Sequence, residues 1–276
     1  MGAILGLFIL FSTGCQDVKN DQFGTLVLKL TDAPFPIDTI ESAMVTITKV
    51  EVRKKSEGEE LGYPYITVLE DSREFNLLDL RNGITAELAE IDIEPGNYDL
   101  IRLYVDQASI SIKQSETYDL KVPSGSQTGI KVFIKPDLHV EGGLTSEVIL
   151  DFDVEKSFVL QGNMNSPAGI KGFHFKPVIR AVNETTAGSV EGVVVDADDV
   201  VMETVSVWIE QDTVITSTLT GAEGYYSMIG IPAGVYSMSA AMEDFDTLTV
   251  EDIEIVEGNL TVQNFKLSPA ELTGGE

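Results

Sequence analysis

The chain reads as an all-β protein, two antiparallel Greek-key β-sandwich domains in series, and three observations predict it. From residue 24 onward, short runs alternate apolar and polar residues, the period of a half-buried strand. Clusters of Gly, Pro, Asn and Asp interrupt these runs about every ten residues, the spacing of strand turns. Convincing helical spacing occurs in one place only. The reading divides the chain into residues 24–182 and 189–268 as the two sandwiches, 183–188 as a linker and 269–276 as a polar tail. Residues 1–14 form a leader and 15–23 a short tether.

In the first unit Leu26, Leu28 and Leu30 alternate with Thr25, Val27 and Lys29, and the run stops at Thr31-Asp32-Ala33-Pro34. A second strand covers Ala43 to Val52; Val45 and Ile47 share one parity while Val50 and Val52 share the other, which predicts a bulge near Lys49. Charged residues and glycines from Lys54 to Gly62 make a loop, followed by strands at Tyr65 to Leu69 and Phe75 to Leu80. Asn82 to Ile91, with Ile84, Leu88 and Ile91 on one side, is the predicted helix. Pro95-Gly96-Asn97 then turns the chain into a long strand carrying Ile101, Leu103 and Val105 on one face. Ile110 to Ile112, Tyr118 to Val122 and Ile130 to Ile134 continue the meander, the last two separated by a turn at Pro123 to Ser126. In Val148 to Asp153, Val148, Leu150 and Phe152 point to the core and Ile149, Asp151 and Asp153 point away. A final strand runs from Phe173 to Val182.

Asn183 to Gly188 is polar and spans at most about 20 Å. Seven strands follow between Val190 and Leu267, enough for a small sandwich.

With 45 acidic against 18 basic residues and a formal charge of -27, the body repels phosphate backbones, so nucleic acid is excluded as a partner. Carboxylates in this number keep a tethered protein soluble. A hydrophobic fraction of 43% supplies packed cores, and with a single cysteine no internal disulfide staples them.

That cysteine, Cys15, follows the short apolar run Ala3 to Phe11 and the small residues Ser12, Thr13 and Gly14. The run is too short to span the roughly 30 Å hydrocarbon core as a helix and has the length of a signal h-region. The arrangement resembles a bacterial lipoprotein signal peptide, although Ser12 stands where that family prefers Leu and no early Lys or Arg precedes it. The resemblance implies cleavage before Cys15, acylation of its thiol with palmitate-type chains, and a membrane-lipid anchor in the outer membrane. Acidic residues soon after the cysteine loosely resemble surface-export signals.

Two further resemblances cover the body. Thr31-Asp32-Ala33-Pro34, Leu77-Leu78-Asp79-Leu80, Pro95-Gly96-Asn97-Tyr98, Leu150-Asp151-Phe152-Asp153 and Lys176-Pro177-Val178-Ile179-Arg180 occur in an order similar to the bacterial domain-of-unknown-function family 4382. Gly192-Val193-Val194-Val195-Asp196, Gly224-Tyr225-Tyr226 and Ile231-Pro232-Ala233-Gly234-Val235-Tyr236 resemble the carboxypeptidase regulatory-like family. That second resemblance implies a transthyretin-like sandwich, often grouped with carbohydrate-binding-like folds, and fold alone carries no site.

Catalytic patterns are missing from the sequence. His139 and His174 lie in different strands, and there is no His-Glu-x-x-His, Gly-x-Ser-x-Gly or Gly-x-Gly-x-x-Gly. Asp151 and Asp153 share a strand face about 7 Å apart, and a loop brings Asp32 near; such oxygen ligands suit a hard cation, Ca2+ being the candidate cofactor. The competing reading is that these carboxylates cap turn amides. Asp196, Asp198 and Asp199 lack the glycine and distal glutamate of a calcium loop and read as a turn. For a sugar ligand, Trp208, Tyr225 and Tyr226 are the candidate rings, with one of the two tyrosines pointing inward. The expected function is therefore a membrane-anchored, non-catalytic envelope protein that binds or displays, contacting a surface glycan or another envelope protein. The alternative is a structural or accessory subunit of a surface assembly, its first domain stabilised by calcium.

Overall fold

The computed structural model describes residues 22–33, 40–55, 65–114, 116–122, 125–162 and 169–270. Among these, twelve strands build the first domain: β1 (Gly24–Ala33), β2 (Ile40–Lys54), β3 (Tyr65–Leu69), β4 (Arg73–Asn76), β5 (Ala86–Ile93), β6 (Gly96–Ile112), β7 (Thr117–Leu120), β8 (Ile130–Val140), β9 (Thr145–Asp153), β10 (Phe158–Gly162), β11 (Ile170–Phe175) and β12 (Ile179–Asn183). Eight build the second: β13 (Ala187–Val195), β14 (Ser206–Glu210), β15 (Val214–Leu219), β16 (Tyr225–Pro232), β17 (Gly234–Ala241), β18 (Leu248–Ile255), β19 (Leu260–Val262) and β20 (Phe265–Lys266). The all-β expectation is borne out.

In the first domain one sheet runs β3-β2-β6-β8-β12-β9-β1-β5, with β4 and β7 added on β2 and β6. It curls until its two ends, β3 and β5, approach each other around a single apolar core. Alternation decides what enters that core: Leu26, Leu28 and Leu30 of β1 are almost fully buried, as are Val148, Leu150 and Phe152 of β9. The pairing is not wholly antiparallel. β1 lies parallel to β9, with Leu28 opposite Val148 and Leu30 opposite Leu150, and β12 meets β8 in parallel at Ala181 and Ile134. The bulge read near Lys49 is present, since the β2–β6 register shifts on both sides of Ile47.

The helix expected over Asn82 to Ile91 is a correction: Ala86 to Ile93 is β5, paired with β1. Asn82 and Gly83 both take left-handed backbone, with φ of 56° and 74°, a turn that no right-handed helix can contain. Of the three residues that suggested helical spacing, Leu88 enters the core while Ile84 stays 56% exposed. The single strand expected over Phe173 to Val182 is broken between β11 and β12, where Pro177 sits. Phe158 and Phe175 of the β10–β11 hairpin pack beside Phe152, with ring centroids of Phe152 and Phe175 6.2 Å apart.

The second domain faces two sheets across a core of Val190, Val194, Val207, Ile209, Tyr226 and Met238. One has the order β16-β13-β19, with β20 also on β13; the other is β15-β14-β17-β18. The stretch 183–188 contains the last residue of β12, a single 3-10 turn over Glu184–Thr186 and the first two residues of β13. Asn183 caps that turn, its side chain accepting from the Thr185 amide at 3.1 Å.

Each domain repeats one local device. Tyr98 donates its hydroxyl to the Glu94 carbonyl, and Tyr236 donates to the Pro232 carbonyl, both at 2.8 Å and both four residues back, with Gly96 and Gly234 between. Gly96 is needed there: its φ is 144°, and a Cβ would sit 2.7 Å from Lys54 Cε. Burial pushes the Tyr98 hydroxyl up to about 12, so it stays a donor throughout the physiological range. Tyr98→Phe is expected to lower unfolding free energy by about 1 kcal/mol in urea titration; an unchanged midpoint would mean the bond contributes nothing.

Candidate functional site

The two domains meet along the outer face of β9 and β12. Ile149 and Val182 point away from the first core yet are 1% and 3% exposed, because Gly230 of β16 lies against them; a Cβ there would be 3.6 Å from Val182. Arg180, opposite Asp151 in the β12–β9 register, makes the polar part of the contact. Its Nη2 donates to Asp151 Oδ2 at 2.6 Å and its Nη1 donates to the Gly230 carbonyl at 2.7 Å. Farther along, Thr218 of β15 donates its hydroxyl to Asn82 Oδ1 at 2.6 Å. Gly83 approaches Ser227 so closely that a Cβ would lie 2.9 Å from its Oγ.

Asp32 sits beside this seam. It has the same parity as Leu26, Leu28 and Leu30, so β1 aims its carboxyl inward, and it is 6% exposed. Neither oxygen has a hydrogen-bond partner among the described residues. Burial raises its pKa well above the ordinary carboxylate value, and Asp151 raises it further; the Val154 amide pulls the other way without closing a hydrogen bond, Asp153 adds to the rise and Arg81 opposes it.

The three carboxylates proposed for a hard cation are thus near one another but differently engaged. Asp151 is ion-paired with Arg180. Asp153 caps the turn at Val154–Ser157, accepting from the Lys156 amide at 2.9 Å and from its ammonium at 2.7 Å. This is the capping role weighed against a metal in the sequence. Among the described residues no group of three or more His, Cys, Asp or Glu side chains is arranged to hold a metal ion. The Asp196 loop is also a turn: Asp196 Oδ1 accepts from the amides of Asp198 and Val200, each at 2.9 Å, and Asp199 pairs with Lys266.

The aromatic residues do not assemble. Tyr226 is fully buried, its hydroxyl donating to the Gln263 carbonyl, whereas Tyr225 is 41% exposed and donates to Glu191 at 2.9 Å. Trp208, half-buried on β14, belongs to the other sheet of the sandwich. The three rings therefore present no common stacking face: one is core, and the other two lie on different sheets. His139 and His174 are both exposed. Cys15 lies outside the described residues.

No sequence pattern marks a cleft of about 550 Å3 that lies between the domains. Its first-domain wall carries Glu41, Asp79, Arg81, Ile84 and Lys113, and its second-domain wall Glu203, Thr204, Leu219 and Gly221. These residues come from the start of β2, the turn before β5, the β6–β7 turn and the ends of β14 and β15, so no local pattern links them. Thr204 holds φ of 62°, a conformation that a β-branched residue rarely adopts and that costs about 1–3 kcal/mol; such strain collects at ligand clamps. No helix among the described residues is long and apolar enough to cross a membrane.

Residues 23–177 match the family described as a domain of unknown function (DUF4382), and residues 189–268 match the carboxypeptidase regulatory-like domain. No curated protein matches the chain. Among solved structures, the Bacillus anthracis TIE protein is 12% identical, with 92% of this chain covered and a TM-score of 0.26; this chain spans 37% of its length. The minor pilin GBS52 of Streptococcus agalactiae is 8% identical, over 91% of this chain and 98% of its own, at a TM-score of 0.26. The shaft pilin SpaA of Lactobacillus rhamnosus GG is 11% identical, over 91% and 100%, at 0.29. Likenesses this low carry no functional argument.

Proposed function

The chain belongs to the DUF4382 family, whose domain covers more than half of it, and from that premise we propose a lipid-tethered, non-catalytic binding protein of the cell envelope, anchored in the outer membrane. The family brings no activity with it, so the reading rests on this chain. The observation that carries it is the cleft of about 550 Å3 whose walls come from both domains, a place where ligand sites commonly form. Around that cleft stand carboxylates, cations and threonines, and among the described residues no histidine, cysteine or serine lines it. The tether is the acylated Cys15; two or more acyl chains hold a protein stably where one does not. Cells given labelled fatty acid should label the protein, and Cys15→Ala should abolish the signal; undiminished labelling of that variant would overturn the anchor.

One observation favours the accessory-subunit reading. Val235 and Val256, 52% and 43% exposed, line a shallow apolar depression at the linker end of the second domain, a surface suited to another envelope protein. Cross-linking in intact cells tests it, since a subunit of an assembly must yield a stable, discrete adduct.

A further inference from the structure

Within the binding role proposed above, on which this inference rests, we infer that the interdomain cleft takes a neutral, hydroxyl-rich ligand, a short uncharged oligosaccharide segment. Three features of the walls lead there. Glu41, Asp79 and Glu203 offer acceptors while Arg81 and Lys113 offer donors, and none of the five forms an ion pair among the described residues. These side chains face solvent and are not committed to one another; Arg81 spends its Nε on the Leu78 carbonyl at 2.7 Å, which leaves its two terminal nitrogens for a ligand.

The charge of the walls and of the whole chain selects against anions. An anionic polymer meets three carboxylates locally and the -27 charge of the whole chain at long range. A polycation is attracted at long range but meets Arg81 and Lys113 inside the cleft. A sugar hydroxyl, which donates one hydrogen bond and accepts two, satisfies carboxylate and cation alike.

The remaining surface is apolar in one place. Ile84, 56% exposed, and Leu219 line the same cleft and give the C–H face of a pyranose a shelf without any aromatic ring. The volume lies within the about 300–1,000 Å3 range of small-ligand sites. Strained Thr204 stands on the second-domain wall, held by its amide's hydrogen bond to the Thr220 carbonyl at 2.9 Å. Since both domains supply wall residues, the ligand bridges them and its binding depends on the seam.

The full-length protein in detergent, applied to an array of neutral and acidic oligosaccharides, should bind neutral members and none of the acidic ones. Gly221→Trp should weaken that binding at least tenfold: a Cβ at Gly221 meets only the Tyr225 carbonyl at 3.9 Å, so a large side chain is accommodated by the fold and fills the cleft. The double variant Glu203→Gln with Lys113→Met, both exposed, should do the same with an unchanged melting temperature. A blank array, binding confined to acidic glycans, or full binding by both variants would overturn the inference. Fatty-acid labelling, read on the same preparations, separates the two levels: a blank array with labelling intact removes the ligand class and leaves the tether standing.

Discussion

Asp32→Asn is expected to raise the melting temperature by about 6–12 °C at pH 8 and to leave it nearly unchanged at pH 4. Among the described residues the wild-type carboxyl is buried at the end of the first core without a hydrogen-bond partner, near Asp151 and Asp153, with Arg81 as the opposing cation and uncharged Thr218 and Ser227 across the seam. Burial, the leading cause, raises its folded pKa, so the native state binds the proton more tightly than the unfolded chain does. Its contribution is therefore most favourable below the unfolded carboxylate value of about 4. Stability then falls as pH climbs toward the raised value and levels off above it. An amide of the same shape never ionises, so the variant removes this fall, worth about 3 kcal/mol for an uncompensated buried charge. Thermal melts of both proteins across pH 4 to 9 check it, and parallel curves would show that Asp32 is not held protonated.

Arg180→Leu should destabilise the protein by about 3–5 kcal/mol in urea titration. The guanidinium is the sole ion-pair partner of Asp151 among the described residues, and the Asp151 side chain is 8% exposed, so its removal strands a charge beside Asp32. It also releases the Gly230 carbonyl across the domain seam. Adding Asp151→Asn to Arg180→Leu should restore a large part of the loss, because the stranded charge disappears even though the pair does not return. A loss below about 1 kcal/mol in the single variant would mean solvent reaches Asp151 and the pair behaves like a surface bridge. Effects at Arg180 and Asp32 should not add, since both act on the field around Asp151.

Strand content was legible because the apolar parity of β1, β2 and β9 is imposed by the same burial that the structure shows. The helix expected over Asn82 to Ile91 failed for a physical reason: spacings of four and three residues at Ile84, Leu88 and Ile91 imitate a helix, but two consecutive left-handed residues precede them and Ile84 faces the cleft. The burial of Asp32 is readable in principle, since it continues the inward parity of three leucines, although the Asp151-x-Asp153 pair is the more conspicuous carboxylate pattern. Arg180 was named within a motif, yet its partner across the strands depends on register and its second bond on another domain. The cleft was invisible because its walls meet only after both domains fold and dock.

The first strand of the sheet lies between β5 and β9, and Lys29 pairs with Glu147 across 118 positions. No early fragment of this chain can close its own sheet, and sheets that wait on such distant partners assemble slowly. Under the envelope location proposed above, that delay is useful: a leading segment whose partner lies far behind stays unpaired while the chain is exported.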